Sequence, residues 1–215
     1  MTRLMRVTGL SAGLGGLAWT IGCFVHNSLP QGCIEDVCEG PPAVPMRGGS
    51  TTAVALFLVA GVMLAISAIG MLLLVRRVGG LGPIGAAALS AGGLGCALLI
   101  VAGIISGFVD NDWGGMPALV VPGVVLLAVG AALLGWVALR VNLLPMWVWL
   151  TLVGTALLLP FANEQTSRIL LAVPFGTAWV VAGVVLALPR ASRGRNASQL
   201  LPPEATRSPY GWEGG

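Results

Sequence analysis

Residues 52–75, TAVALFLVAGVMLAISAIGMLLLV, decide the fold. The 24 residues carry no charged group, and Thr52 and Ser67 are their only hydroxyls. As an α-helix the stretch is about 36 Å long, enough to cross the ~30 Å hydrocarbon core of a bilayer. It is apolar on every side, so it has no polar face to turn toward water. Arg76-Arg77 follows at once and marks a membrane surface.

Five further stretches read the same way, which places spans at about 7–25, 52–75, 83–109, 117–139, 143–161 and 169–188. Hydrophobic residues make up 56% of the 215-residue chain and charged residues 9%. A soluble domain carries about 25% charged residues, so that class is excluded. A disordered chain is excluded by the same apolar content, and 32 glycines without a triplet period are not collagen. A transmembrane β-barrel needs short segments of alternating polarity, which are absent from the sequence. The expectation is an all-α transmembrane bundle of six helices arranged as three hairpins. It occupies residues 1–188 as one domain, followed by a cytoplasmic tail, 189–215, too poor in apolar residues to fold.

The charges set an orientation. All 11 basic residues are arginine. Arg3, Arg6, Arg76, Arg77, Arg140, Arg190, Arg193, Arg195 and Arg207 fall on one side, and only Arg47 and Arg168 on the other. Six acids, Glu35, Asp36, Glu39, Asp110, Asp112 and Glu164, share that second side. Basic residues are retained in cytoplasmic loops, so both termini are expected in the cytoplasm, in the plasma membrane and most simply a bacterial inner membrane. The basic pI of about 9.0 is thus a topology signal and gives no reason to expect nucleic acid.

The first helix could be confused with a leader. Met1–Arg6 precedes an apolar run, and Thr20-Ile21-Gly22-Cys23 loosely resembles the lipobox of acylated lipoproteins. Threonine stands where that motif prefers a leucine-like residue, so the helix is read as uncut. It would pack through Gly9, Gly13, Ala18 and Gly22, a small-xxx-small pattern. Pro83, Pro117 and Pro145 suit helix starts, whereas Pro122 and Pro174 are expected inside helices 4 and 6 as kinks. Trp113, Trp136, Trp147 and Trp149 are expected in interfacial belts.

Internal echoes raise the idea of a repeated hairpin. Leu10-Ser11-Ala12-Gly13 matches Leu89-Ser90-Ala91-Gly92, and Ala60-Gly61, Pro122-Gly123 and Ala182-Gly183 each precede a Val-rich run. Asn27, Asn111 and Asn163 stand at the ends of odd helices, where a side chain can satisfy orphan carbonyls.

The six spans hold no Asp, Glu, Lys or Arg at all. Intramembrane ionisable groups mark proton relays and voltage sensors, so neither is indicated. Thr20, Ser67, Ser90, Ser106, Thr151, Thr155 and Thr177 are the hydroxyls left for helix contacts or a carrier site. Three of the four cysteines, Cys23, Cys33 and Cys38, lie at the outer face, where thiols oxidise. Cys33 with Cys38 is the expected bridge, with Cys23 an alternative partner for either. A metal site from His26, Cys33, Cys38 and one of Glu35, Asp36 or Glu39 is the rival, although Cys-x4-Cys is not a zinc spacing. His26, Asp110, Asp112, Glu164 and Arg168 could converge at an outer mouth to bind a cation or act as acid and base. Loop polarity explains the same residues without a site. No nucleophile, metalloprotease or phosphate-loop motif occurs, so neither an enzyme nor a cofactor is expected.

The acidic end of helix 3, Phe108-Val109-Asp110, and the run NEQTSRILL at 163–171 resemble the small six-helix integral membrane proteins of unknown function found in bacteria and archaea. The resemblance covers most of 1–188 and implies the six-helix membrane fold, but no activity, cofactor or site residue. The Cys33/Cys38 loop is not part of that pattern. Two readings of function follow. One is a non-enzymatic membrane component, with the lipid bilayer, itself or other membrane subunits as partners. The other is a small carrier or channel with a polar site at the outer mouth.

Overall fold

The computed structural model describes residues 2–32, 46–47, 50–79, 82–109, 113–141, 143–162 and 166–188. They form α1 (Thr2–Asn27), β1 (Gln31–Gly32), β2 (Met46–Arg47), α2 (Thr51–Gly79), α3 (Gly82–Phe108), α4 (Met116–Arg140), α5 (Met146–Ala156) and α6 (Val173–Ala187). A 3-10 turn, Leu159–Phe161, follows α5, and a 3-10 helix, Ser167–Ala172, leads into α6. Among the described residues the regular structure is all-helical apart from β1 and β2. These pair antiparallel, Gln31 with Arg47 and Gly32 with Met46, and draw together the two ends of the connection between α1 and α2.

Among the described residues five helical segments are long and apolar enough to cross a membrane: Arg3–Asn27, Thr51–Arg77, Gly82–Ser106, Met116–Arg140 and Ser167–Ala187. The fifth stretch in chain order differs from expectation. The sequence assigns it a full span over 143–161, whereas the apolar helical segment is Met146–Phe161, about 24 Å even if helical throughout. Pro145 is its extended N-cap, and the α-helix stops at Ala156. Pro160, in the first turn of Leu159–Phe161, has no N–H to continue an α-helical ladder. Pro174 is also corrected: it lies in the first turn of α6, where no hydrogen bond is lost, rather than in its interior. Pro122 does sit inside α4.

The packing is organised around α1, which lies between α2 and α6. Thr8, Gly15 and Gly22 face α2. The Thr8 hydroxyl sits over Gly70, and methyls added to Gly15 and Gly22 would lie 3.0 Å from Leu64 and 3.0 Å from Phe57. One residue further along each turn pair, Gly9 and Gly16 face α6. A methyl on Gly9 would fall 2.7 Å from the Gly183 carbonyl oxygen, and one on Gly16 would strike that of Gly176. The contacts at 8/9, 15/16 and 22 thus recur every seven residues, the period of a left-handed, coiled-coil-like crossing. Of the expected Gly9, Gly13, Ala18 and Gly22, Gly9 and Gly13 lie against Gly183 of α6, Gly22 faces Phe57 of α2 and Ala18 is buried, so these small residues do pack, shared between two neighbouring helices. Two backbones can approach this closely only because neither helix projects a side chain there.

α3 and α4 form an antiparallel hairpin by the same device. A methyl on Gly130 would be 2.5 Å from the Gly92 Cα, and one on Gly95 would be 2.6 Å from the Leu127 nitrogen. The hairpin is peripheral: α3 and α4 are far less buried than α1 and α6. α5 touches both α4 and α6, but α6 runs chiefly along α1.

That arrangement also bears on the hairpin echoes. Gly16 and Gly95 occupy matching positions in helices 1 and 3, yet Gly16 packs on the last helix and Gly95 on the following one. Gly183 is clamped against α1, while its counterpart Gly61 has nothing within 4 Å. The matched sequences do not make matched contacts.

Candidate functional site

The expected outer-mouth residues divide into those the structure places and those outside the described residues. His26 is in the last turn of α1 and is buried, only 7% exposed. Arg168 is exposed in the first turn of Ser167–Ala172, and its backbone N–H donates to the Thr166 hydroxyl, 3.3 Å, as a helix cap. Ser167–Ala172 packs on α1. The antiparallel register of Gly16 with Gly176 therefore brings His26 and Arg168 to the same end of the bundle. Asp110, Asp112, Glu164, Cys33 and Cys38 lie outside the described residues, as do Asn111, Asn163 and the tail 189–215. Among the described residues no three His, Cys, Asp or Glu side chains come together. Cys23 is a free thiol, buried in α1. Cys96 is free in α3.

Beneath His26 lies an aromatic cluster. Trp19 packs edge-on to Phe57 of α2 at 5.3 Å and to Phe175 of α6 at 5.5 Å, and Phe175 meets Trp179 at 6.2 Å. The Trp19 indole N–H donates to the Ala172 carbonyl, 2.9 Å. Three helices are thus locked at one level by rings whose geometry suits their quadrupoles.

Trp149 corrects the belt expectation. It is buried, and a methyl on Gly135 would be 2.8 Å from its ring, so the glycine of α4 opens the slot that takes the indole. Trp113, Trp136 and Trp147 are exposed.

Most intramembrane hydroxyls serve their own helices. Thr20 donates to the Gly16 carbonyl at 2.9 Å, Thr151 to Trp147 at 2.6 Å, Thr155 to Thr151 at 2.7 Å and Thr177 to Pro174 at 2.9 Å. Thr8 and Ser67 do not. Both are buried between α1 and α2, and neither hydroxyl has a protein partner. The Asn27 amide oxygen, an acceptor, is also buried without a partner, and the Ser28 hydroxyl donates to the Val25 carbonyl at 2.7 Å.

A feature missed in the sequence is the outward face of α3. Ala86, Ser90, Gly93 and Ala97 are all exposed, and their 4-3-4 spacing sets them on one stripe. A methyl on Gly93 would meet nothing within 4 Å. The exposed face of α2 carries Val59, Val62, Ile66, Ile69 and Leu73 instead, as a surface wetted by acyl chains does. The 4-3-4 pattern was legible; which of the two glycine faces of α3 would be taken by α4 was not.

No family model, curated protein or solved structure matches the chain.

Proposed function

We propose that the protein is a non-enzymatic component of the cell membrane, with both termini in the cytoplasm, that associates through α3 with a second copy or a partner subunit. The observation that carries this is the Ala86/Ser90/Gly93/Ala97 stripe on a hairpin buried only at its inner seam. Lipid tails fill gaps beside large side chains well. They gain little from a flat stripe of small ones, where another helix can approach closely and find a hydroxyl to bond. The absence of a catalytic motif from the sequence agrees with a packing role.

Crosslinking tests it. With Cys96 replaced by serine, Gly93→Cys on the exposed stripe should form an oxidative or bifunctional crosslink in native membranes. Ile66→Cys on the exposed face of α2 should not. Monomeric Gly93→Cys under crosslinking conditions, together with solute flux in reconstituted vesicles, would transfer support to the carrier reading. That reading rests on His26 and Arg168 sharing one end of the bundle.

A further inference from the structure

Four exposed arginines gather where the start of α1 meets the end of α2. α1 and α2 run antiparallel with Thr8 at the level of Gly70. That register sets Arg3 level with Val75 and Arg76 beside the start of α1. Arg3, Arg6, Arg76 and Arg77 are all exposed, so four guanidinium groups crown two adjacent helices.

Each crown tops a lipid-facing ridge. On α1 the exposed positions Val7, Leu10, Leu14, Leu17, Ile21 and Phe24 descend from Arg3. On α2 Leu73, Ile69, Ile66, Val62 and Val59 descend from Arg76. At the same end of α4, the Arg140 guanidinium stacks 5.2 Å from the centre of the exposed Trp136 ring, a pairing that suits the headgroup level. Six of the eight carboxylates belong to connections at the opposite ends of these helices. The other two, Glu204 and Glu213, stand in a segment with Arg190, Arg193, Arg195 and Arg207, whose net charge is positive.

We infer that the Arg3/Arg6/Arg76/Arg77 crown binds the phosphate headgroups of anionic phospholipids, whose acyl chains lie along the two ridges. Guanidinium forks pair with phosphate oxygens bidentately, and the ridges supply the apolar length that a free phosphate would not use. The inference does not depend on whether α3 takes a partner.

Native mass spectrometry of the full chain, with phosphatidylglycerol and phosphatidylcholine of identical acyl chains, tests it. The wild type should retain phosphatidylglycerol in preference. Replacing all four arginines by glutamine should lower that preference at least about tenfold, since each basic residue near an anionic headgroup contributes substantially. Arg168→Gln, at the opposite end, should leave it unchanged. A double variant, Arg3→Gln with Arg76→Gln, gives an intermediate loss and keeps the test usable if the quadruple variant fails to fold. Equal retention of the two lipids by the wild type would overturn the proposal, as would an undiminished preference in the folded variants. Displacement of the lipid by inorganic phosphate at millimolar concentration would also overturn it, by identifying a free-anion site.

Discussion

The indole N–H of Trp19 reaches the carbonyl of Ala172 at 2.9 Å, tying the first helix to the last. Ala172 ends the 3-10 helix that precedes α6. At such a change of helix type the carbonyls are not all taken up by the regular ladder, so the junction can accept a donor from outside. The bond also holds Trp19 between Phe57 and Phe175.

Trp19→Phe should therefore lower the stability of the detergent-solubilised protein by about 1–3 kcal/mol, because the partner carbonyl is left without its donor. Thermal unfolding followed by near-ultraviolet circular dichroism checks this. An unchanged midpoint would show that the indole contributes by packing alone.

The two glycine faces predict opposite outcomes for the same substitution. Gly16→Ala drives a methyl into the Gly176 carbonyl and to 2.8 Å from the Val180 nitrogen. Both are backbone atoms that cannot swing away, so a loss of about 1–3 kcal/mol is expected. Gly93→Ala meets open space and should leave the monomer unchanged or slightly more stable through helix propensity. Denaturation of the two variants side by side distinguishes the clamped seam from the free face.

Thr8 and Ser67 bury hydroxyls that bond no protein group. Thr8→Val keeps the shape and removes the unpaired donor, so stability should hold or rise by up to about 1 kcal/mol. Ser67→Ala should behave likewise. A clear fall in the unfolding midpoint of either variant would mean that its hydroxyl has a bonding partner in the membrane.

The arginines predict an orientation. Reporter fusions after Arg77 and Arg140 should read cytoplasmic, and a fusion after Gly115 external. A cytoplasmic signal at Gly115 would reverse the assignment. Fusions on either side of α5 test whether this short helix completes a crossing, which a bilayer can accommodate by local thinning.

The fold class was legible because its signal is local. A run such as residues 52–75, apolar on every side and closed by Arg76-Arg77, has one compatible solvent, and the α-helix satisfies its backbone within the segment. Helix ends at Pro83 and Pro117 were equally plain, since proline acts on its own turn. The pairs Thr8-Gly9, Gly15-Gly16 and Gly22-Cys23 recur at seven-residue spacing in the sequence, but the four-residue pattern in the same helix competed with them. Glycine records only that something may come close, not which helix does.

The sequence by itself determined that the chain is a set of apolar helices with nine of its eleven arginines assigned to one side. The tertiary structure alone decided that α6 runs along α1, that Trp149 enters the slot at Gly135, that α5 is short, and that Ala86, Ser90, Gly93 and Ala97 face outward. The reason is physical. In lipid there is no water-driven preference for one apolar face over another. Neighbours are therefore selected by steric fit between segments as distant as Gly16 and Gly176, which no local pattern records.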